Sequence, residues 1–362
     1  MPELDTITVK GFKSIASIED LKLGAINIVI GANGSGKSNF IGVFSFLHAI
    51  REGRLQDYVR QARGADKVLH FGAKVTETIQ LRLKLGSGAN TYSLDLSASS
   101  GDELYPRAES IGFCQSPDQV LHPNGKEAGI SVEVKYGRPF YVRDQMTRWR
   151  VYHFHDTGPN SPMKKTVEIN NNHYFRPDGS NLAAFLFFLR EKHPTSYTLI
   201  RRTVQRVAPF FDDFQLEPLR LDEQTIQLEW RHAGSDSYFD ASSLSDGTLR
   251  FIALATLFLQ PEDHRPSVIL VDEPELGLHP YAMTLLASLV KQASVKTQVI
   301  LSTQSPLLLD HFQPEDVLVA DRVDGSTRLS RLDSAALATW LEDYSLGQLW
   351  EKNELGGRPT GE

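Results

Sequence analysis

Short continuous apolar runs are the strongest pattern in this 362-residue sequence. Three of them occupy 26–30, 267–271 and 298–302, and such runs are typical of strands buried on both faces. A helix-like segment follows the first run at 39–50, and apolar residues at helical spacing precede the second at 251–258. The pattern predicts an α/β fold with a mixed central sheet flanked by helices.

A different pattern fills the first part of the region between these runs. From 74 to 142 the apolar and polar residues alternate in short stretches, such as Thr78–Leu85 and Ile130–Val134. Gly, Asn, Ser and Pro separate the stretches, as they do between strands joined by tight turns. We predict an antiparallel β subdomain here.

Helical spacing returns from 181 to 206, where an apolar and then basic segment is interrupted at Pro194. This segment predicts a helical lobe. We therefore expect residues 1–73 and 207–362 to form one domain, with 74–206 inserted as a β-rich and helical lobe.

Composition narrows the function classes. The 38 Lys and Arg against 45 Asp and Glu give a net charge of −7, which argues against a wholly basic nucleic-acid coat but not against a local basic face. The single cysteine, Cys114, excludes an internal disulfide and a Cys-cluster zinc site. No apolar run is long enough to span a membrane and the first residues do not resemble a signal peptide, so we expect a cytoplasmic protein without membrane partners.

A phosphate-binding motif follows the first apolar run. Residues 31–38 read Gly-Ala-Asn-Gly-Ser-Gly-Lys-Ser, a complete G-x-x-x-x-G-K-S between a predicted strand and a predicted helix. Its glycines let backbone N–H groups converge on a polyphosphate at the helix N-terminus. We expect Lys37 to reach the β- and γ-phosphates of a nucleoside triphosphate and Ser38 to bind Mg²⁺.

Adjacent carboxylates end the second apolar run. Asp272 is placed to hold Mg²⁺, and Glu273 to orient and deprotonate the attacking water. A surface Asp-Glu pair is the alternative, which the phosphate-binding motif in the same chain disfavours.

Two further polar positions accompany these runs. Ser245 and Gly247 open a helix and could form a second anion site, although an ordinary N-cap gives the same pattern. Gln304 follows the third run and is a candidate sensor of the γ-phosphate, with a loop-capping role as the alternative.

These segments together resemble a known superfamily. GANGSGKSN at 31–39, LSDGT at 244–248, DEPELGLHP at 272–280 and STQSP at 302–306 are similar to the Walker A, signature, Walker B with D-loop and switch motifs of ABC-type ATPases. More narrowly, they resemble bacterial RecF-like, SMC-related AAA family ATPases, as do Gly-Phe-Lys-Ser at 11–14 and the segment 344–359.

The resemblance implies a P-loop NTPase of the ABC/RecF-like type that binds and hydrolyses ATP with Mg²⁺. It also implies a homodimer in the ATP state, in which Ser245 and Gly247 contact the γ-phosphate bound to the other subunit. The implied roles are catalytic for Glu273, Gln304 and Lys37, and metal-binding for Ser38 and Asp272. The implied nucleotide-binding positions are Lys13, Asn33, Gly34, Ser35, Gly36, Lys37, Ser38, Asn39, Ser245 and Gly247.

The sequence departs from the superfamily pattern at three places. Asp246 stands where transporters usually have Gly, and an acid there would repel a γ-phosphate unless it points away. Gln304 replaces the usual switch His, so it cannot serve as an acid or base, and we expect slow turnover. The Q-loop glutamine is not assigned among Gln115, Gln119 and Gln145.

What the ATPase acts on stays open in the sequence. A DNA-acting role in repair or in defence against foreign DNA is the first hypothesis, a switch that gates a protein effector such as a nuclease or toxin is the second, and a dimeric scaffold is the third. Ten arginines could form a basic face for duplex DNA, or each could pair with neighbouring acids; they are Arg51, Arg54, Arg60, Arg63, Arg143, Arg148, Arg150, Arg201, Arg202 and Arg206.

Two more features have competing interpretations. His153 and His155 beside Asp156 resemble a metal cluster only loosely, and a turn or core role is favoured. The stretch 337–349 predicts a helix laid on the domain, with docking of a partner as the alternative.

Overall fold

The computed structural model describes residues 3–114 and 116–357, and the chain forms two compact units. The first unit comprises the described parts of 1–151, 267–270 and 297–362, and the second comprises 152–266 and 271–296. These units group residues 74–151 with the phosphate-binding motif, whereas the sequence assigned 74–206 to an insertion. The division predicted from sequence stays a prediction.

The elements follow one another along the chain. The first unit begins with β1 Leu4–Phe12, β2 Ile15–Lys22, β3 Ile26–Ile30, α1 Lys37–Arg51, α2 Leu55–Gln61, β4 Thr78–Leu85, β5 Asn90–Ala98, β6 Leu104–Phe113, β7 Ser116–Val120, α3 Arg138–Thr147 and β8 Trp149–Tyr152. The middle of the chain has β9 Val167–Glu168, α4 Leu182–Lys192, α5 Pro194–Val207, β10 Phe211–Gln215, β11 Pro218–Leu219, β12 Asp222–Ile226, β13 Glu229–His232, β14 Tyr238–Asp240 and α6 Asp246–Leu259. The last part has β15 Val268–Asp272, α7 Pro280–Ala293, β16 Gln298–Ser302, α8 Pro306–Leu309, β17 Val317–Val323, β18 Ser326–Arg331, α9 Ser334–Leu341 and α10 Leu346–Glu351.

An antiparallel sheet carries the β subdomain. Its six strands lie in the order β2-β1-β4-β5-β6-β7, so the first strands of the chain pair directly with the strands of the predicted subdomain. Inward side chains alternate with outward ones along β4, whose burial follows the period of two expected for a sheet with one covered face. The antiparallel subdomain predicted from the alternating pattern is present.

A second six-stranded sheet carries the candidate site. Its order is β18-β17-β3-β16-β15-β8, and β3 pairs in parallel with β16 and with β17. All five residues of β15 and of β16 are buried, as the continuous apolar runs predict for strands covered on both faces. Helix α1 buries an apolar face that includes Phe46, whose ring stacks on Phe12 at a centroid distance of 5.2 Å. The fold is mixed α/β, as predicted.

The second unit contains the predicted helical lobe. Helices α4 and α5 pack together, and Pro194 begins α5 at a first-turn position that proline tolerates. Helix α6, which has an almost wholly buried apolar sequence, packs against both α5 and α7. Small antiparallel sheets of β10-β13-β14 and β11-β12-β9 complete this unit.

One predicted strand is wrong. Ile130–Val134 contains no strand, because Gly129–Ser131 forms a 3₁₀ turn. The buried carboxylate of Glu109 on β6 accepts hydrogen bonds from the amides of Gly129 and Ile130 and from the Tyr92 hydroxyl. These contacts satisfy the amides locally, so they do not join a sheet ladder.

The predicted C-terminal helix is two helices. In α10, Leu349 is fully buried, whereas no residue of α9 is buried. Among the described residues, no helix is long and apolar enough to cross a bilayer.

Candidate functional site

The phosphate-binding motif forms the turn between β3 and α1. Gly31 has φ +151°, and a Cβ added there would lie 2.4 Å from the carbonyl oxygen of Ala320. Gly36 has φ +101°, and its added Cβ would lie 1.9 Å from Thr327 Oγ1. Both positions therefore require glycine for backbone conformation and for space.

The start of α1 is available for an anion. Gly36 is the N-cap residue and has no side chain with which to cap the helix, so the first-turn amides point outward. Asn33, Gly34 and Ser38 are exposed at this end of the helix. Backbone N–H groups at the positive end of a helix dipole bind phosphate groups well.

Lys37 lies over the loop. Its ammonium donates to the carbonyl oxygens of Gly31 at 2.7 Å and Ala32 at 3.0 Å, and its side chain is buried. The charge is thus held beside the backbone that would surround a phosphate. The Ser35 amide donates to the Ala32 carbonyl, and the buried Ser35 hydroxyl has no hydrogen-bond partner within 3–114 and 116–357.

A chain of polar groups connects α1 to the hairpin of β17 and β18. The Asn39 amide donates to Ser14 Oγ at 2.7 Å, Ser14 contacts Thr327 Oγ1 at 2.7 Å, and Thr327 donates to the Ser35 carbonyl at 2.8 Å. The Thr327 hydroxyl donates its only hydrogen to the Ser35 carbonyl. In the contact between Ser14 and Thr327, the Ser14 hydroxyl is therefore the donor. The predicted residue Asn39 therefore braces the loop, and Thr327 is a bracing residue that sequence reasoning missed.

Lys13 lies at the first turn of the antiparallel sheet, with φ +48°. Its ammonium is 5.4 Å from the ring centroid of Phe12 and 5.7 Å from that of Tyr58. Partial burial lowers the pKa of Lys13. A Cβ added at Gly42 would lie 3.8 Å from this ammonium, so Lys13 is placed against the side of α1. Its predicted role in nucleotide binding stays a prediction.

Gln304 follows the carboxyl end of β16. Ser302 pairs with Val29 of the parallel strand β3, and the Thr303 amide donates to the Val29 carbonyl at 3.0 Å. Parallel strands end at the same edge of a sheet, so Gln304 and the phosphate-binding loop leave the sheet at this edge. Gln304 is half-buried. The following Ser305 caps α8 by accepting from the Leu308 amide.

The predicted carboxylate pair ends β15. Asp272 is the last residue of the strand and is buried, and Glu273 follows with φ +44°. The left-handed region is rarely adopted by a residue other than glycine, so surrounding contacts must hold this backbone. One such contact comes from His155, whose Nε2 donates to the Asp272 carbonyl at 2.7 Å.

Sequence reasoning did not find this contact. Of the loose histidine cluster, His155 binds the backbone of Asp272 and the His153 ring lies 6.2 Å from the His155 ring. Within the two described ranges, no three His, Cys, Asp or Glu side chains converge as metal ligands.

The predicted second anion site begins α6. Ser245 is its N-cap, and Ser245 Oγ accepts from the Thr248 amide at 3.2 Å and contacts Thr248 Oγ1 at 2.8 Å. Ser245 is therefore an ordinary N-cap, as one of the two interpretations predicts. Ser245 and Asp246 are also exposed to solvent. Gly247 lies against the loop after Glu273, because a Cβ added there would be 2.2 Å from the Gly277 carbonyl oxygen.

Arg250 ties this helix to two backbone segments of the second unit. Its guanidinium donates to the carbonyls of Phe154 at 2.9 Å and His155 at 3.2 Å, and also to that of Leu276. Burial lowers the pKa of Arg250. The signature-like helix, the His155 segment and the D-loop-like segment are thus fixed to one another by a single side chain.

Most of the ten arginines expected on a basic face have internal partners. Seven of them bind neighbouring carboxylates, hydroxyls or backbone carbonyls; these are Arg51, Arg54, Arg60, Arg143, Arg150, Arg201 and Arg206. Four of the seven, Arg51, Arg54, Arg60 and Arg201, pair with acids, as the pairing interpretation expects. The DNA-binding alternative stays a prediction. Of the candidate Q-loop glutamines, Gln119 is exposed in β7, Gln145 lies in α3, and Gln115 lies outside the described residues.

The polar groups of the phosphate-binding loop and of the carboxylate pair are of the chemical types that bind a nucleoside triphosphate and Mg²⁺. The loop supplies outward amides and an ammonium, which are the donors that phosphates require. The Ser38 hydroxyl of the first unit and the Asp272 carboxylate of the second are each oxygen groups, the ligand type that Mg²⁺ prefers. Their binding of Mg²⁺ stays a prediction. Each of these groups lies at the end of a buried strand or the start of a helix, so the fold holds it in place.

Comparison with proteins of known sequence supports this chemistry. The chain is 26% identical over 231 residues to an ABC transporter ATP-binding protein of Geobacter sulfurreducens, covering 57% of this chain and 83% of that one. It is 24% identical over 243 residues to the chromosome segregation protein sudA of Emericella nidulans, covering 58% of this chain and 20% of that one. A match to urease accessory protein 2 of Cryptococcus neoformans is 28% identical and covers 34% of this chain and 12% of the relative. The chain thus spans a small part of these two fungal relatives.

Solved structures share the fold. An SMC head bound to the C-winged helix domain of ScpA superposes with a TM-score of 0.60 at 15% identity, covering 92% of this chain and 99% of that one. The SMC head of Pyrococcus furiosus, bound to the C-terminal domain of ScpA, gives 0.58 at 13% identity, covering 95% and 99%.

A family profile matches most of the chain. It covers residues 26–310 and is described as "AAA domain, putative AbiEii toxin, Type IV TA system". This range includes the phosphate-binding loop, the carboxylate pair and Gln304. The chain therefore belongs to this AAA-domain family, and it is similar to ATPases of the SMC/ABC-like type.

Proposed function

We propose that the chain is a Mg²⁺-dependent ATP hydrolase that forms a homodimer in the ATP state and gates a protein effector. The observation that carries the hydrolase assignment is the uncapped start of α1, where exposed Ser38 follows the bound ammonium of Lys37. An arrangement of this kind suits a polyphosphate anion. The dimer follows from the resemblance to ABC-type ATPases.

Each residue of the candidate site has a distinct proposed role in ATP hydrolysis. Lys37 and the loop amides hold the β- and γ-phosphates, and Glu273 orients a water molecule and accepts its proton as the water attacks the γ-phosphorus. The bond from the γ-phosphorus to the β,γ-bridging oxygen breaks, and ADP and phosphate are released. Ser38 and Asp272 would hold Mg²⁺, which would offset the charge of the phosphates. Gln304 can hydrogen-bond the water or the γ-phosphate but cannot exchange a proton, so turnover is slow.

The test is steady-state phosphate release by the purified protein. We expect turnover that requires Mg²⁺, is abolished by EDTA and is lost in Glu273→Gln. Lys37→Ala should lose ATP binding as well, because the ammonium that stabilises the phosphates is removed. Turnover that persists in Glu273→Gln at the wild-type rate would reject the assignment of the base.

An effector protein is favoured over DNA by the arginines. Seven of the ten that could have met phosphates are already paired or hydrogen-bonded, and the net charge is −7. The charges of Arg51, Arg54, Arg60 and Arg201 are paired with carboxylates, and a DNA phosphate would have to compete with those carboxylates.

Duplex DNA stays the second candidate, because the exposed pairs Arg54–Glu52 and Arg60–Asp57 are weak enough to exchange for phosphate. The turnover assay distinguishes action on duplex DNA from gating of a protein effector. Stimulation by duplex DNA that weakens with added salt would support action on DNA in repair or in defence against foreign DNA. Turnover that depends on Glu273 but is unchanged by DNA would support the effector reading.

A further inference from the structure

A segment that is distant in sequence packs against the phosphate-binding loop. Gly357 is buried and has φ +78°, and a Cβ added there would lie 3.1 Å from the Cα of Gly31 and 3.2 Å from Val319 Cγ1. Gly31 is the first residue of the loop. The two backbones approach so closely that position 357 requires glycine for space as well as for conformation.

A carboxylate holds this segment in place. Asp321 lies on β17, and its Oδ1 accepts a hydrogen bond from the Gly357 amide at 2.5 Å. A Cβ added at Gly356 would lie 3.1 Å from Oδ2 of the same carboxylate, and Leu355 is buried. Strand β17 pairs in parallel with β3, which leads into the loop. Asp321 therefore fixes the segment to a strand beside the one that carries the loop.

The segment is also fixed at its other end. Helix α10 packs against α8, and the Gly347 amide donates to Asp310 Oδ1 at 2.6 Å. A Cβ added at Gly347 would lie 2.5 Å from the Pro306 carbonyl oxygen, and Leu349 is fully buried. We call residues 346–357 the bracing segment. Because both of its ends are fixed within the first unit, it can support the loop against which it packs.

The position of Gly31 determines the position of Lys37. The Gly31 carbonyl accepts from the Lys37 ammonium at 2.7 Å. A movement of the Gly31 backbone would therefore move the carbonyl that holds this charge. The surroundings of Gly31 are closely packed, since a Cβ added there would lie 2.7 Å from Ser35 Oγ.

Other contacts hold the later part of the loop. Thr327 donates to the Ser35 carbonyl at 2.8 Å, and Arg322 donates to the Gly34 carbonyl at 3.2 Å. The contact of Gly357 falls on the first residue instead. The bracing segment and these two side chains therefore support different parts of the same loop.

We propose that the bracing segment positions the phosphate-binding loop for nucleotide, with Asp321 as the positioning residue that holds the segment. The inference rests on the proposed ATP hydrolysis and names the contact that keeps Gly31 and Lys37 in place. A loop that is already ordered binds more tightly, because less free energy is spent on ordering it. Loss of the brace weakens binding of ATP and of the transition state alike, so it raises the KM and leaves the kcat unchanged.

The first test is Gly357→Ala in the full-length protein. The added methyl group would displace the Gly31 backbone by a few tenths of an ångström. Anisotropy of an ATP that carries a fluorescent group on its ribose measures the Kd, and phosphate release measures the KM and kcat. We expect the Kd and the KM to rise about tenfold while the kcat at saturating ATP stays that of the wild type.

Gly88→Ala is the matched control. Gly88 lies in the same unit and has φ +76°, so alanine is strained there to the same degree, but no atom lies within 4 Å of its added Cβ. We expect this variant to keep the Kd and KM of the wild type. Urea denaturation measures the strain that both variants share. A purely structural defect would reduce the amount of active protein, which lowers the apparent kcat and leaves the KM unchanged.

The second test compares Asp321→Ala with Asp321→Asn. Both variants remove a negative charge beside the loop, so an effect of charge would strengthen ATP binding equally in both. The asparagine keeps a side-chain oxygen that can accept from the Gly357 amide, whereas the alanine does not. We expect Asp321→Ala to raise the Kd about tenfold and Asp321→Asn to stay within about twofold of the wild type.

The outcomes separate this inference from the proposed function. A wild-type Kd in Gly357→Ala, or the same Kd in both Asp321 variants, would overturn the role of the bracing segment. Turnover that depends on Glu273 would be unaffected by that result, so the hydrolase assignment would stand. A wild-type protein that does not bind the fluorescent ATP would reject the hydrolase assignment and the inference with it.

Discussion

His155 illustrates how one backbone contact can control a catalytic carboxylate. Its Nε2–H holds the Asp272 carbonyl, and the next residue is Glu273 in a left-handed conformation that costs about 1–3 kcal/mol. Without that hydrogen bond the peptide between the two acids can relax, and the Glu273 carboxylate moves. We expect His155→Asn to lower kcat by about tenfold to a hundredfold with the KM for ATP unchanged, because the shorter amide does not reach the carbonyl.

A matched variant tests this contact. The Nε2 of glutamine lies close to the position of the histidine Nε2, so His155→Gln should restore most of the kcat. Steady-state kinetics of the two variants decide the matter. Equal activities in His155→Asn and the wild type would contradict a role for the hydrogen bond.

Gly247 is limited by space rather than by backbone conformation. Its added Cβ would meet the Gly277 carbonyl oxygen at 2.2 Å, and neither segment can move far because Arg250 fixes both. We expect Gly247→Ala to lower the free energy of unfolding by about 1–3 kcal/mol, as overpacking does. Gly158→Ala is the control, since its nearest contact would be 3.6 Å. Urea denaturation that shows the same stability for both variants would refute the steric explanation.

At the scale of the element, the last turn of α1 makes stability depend on pH. The pKa of His48 is lowered to about 4, mainly by burial, with Arg51, Arg150 and Arg54 acting in the same direction and Glu52 opposing them. The unfolded chain takes up a proton near the ordinary pKa of about 6.5, before the folded chain does. Folding is therefore penalised as the pH falls from about 6.5 to about 4, by at most ~1.4 kcal/mol per pH unit and less for a partly exposed ring.

Urea denaturation at pH 7 and pH 5 measures this effect. The wild type should be less stable at pH 5, and His48→Gln should show a smaller loss, because it has no proton to take up in this range. The control compares both proteins at pH 8, where His48 is neutral in both states. A variant that loses as much stability as the wild type would assign the pH dependence to other groups.

The same elements show how far sequence reasoning reaches. Three features were predicted because each depends only on a short run of consecutive residues. They are the phosphate-binding loop, the buried strands β15 and β16, and the interruption at Pro194. Thr327 was not found, since it lies 292 residues from the Ser35 carbonyl that it contacts and its local sequence is that of an ordinary β-hairpin. The strand predicted at Ile130–Val134 failed for the same reason, because a carboxylate on β6 fixes the turn.

The contacts that position the candidate site therefore come from tertiary structure. His155 reaches the Asp272 carbonyl across 117 positions, and the short apolar pattern around it gives no sign of this role. Similarly, the sequence does not show that Leu337 and Leu341 of α9 are only partly buried, whereas Leu349 of α10 is fully buried. Local sequence patterns predicted the phosphate-binding loop and the carboxylate pair. The tertiary fold determines which side chains hold these groups in position.

At the scale of the whole molecule, the proposed dimer requires ATP to be bound and not consumed. Glu273→Gln keeps the phosphate-binding loop intact but removes the base, so ATP stays in the site. We expect sedimentation of this variant in ATP and Mg²⁺ to shift from the 40.5 kDa monomer to twice that mass. Lys37→Ala should stay monomeric under the same conditions, because it does not hold the triphosphate. Ser245→Arg should also stay monomeric while still binding ATP, because a bulky side chain would block the contact expected in the other subunit. A Glu273→Gln protein that is monomeric in saturating ATP would reject the dimer and leave hydrolysis within a single chain.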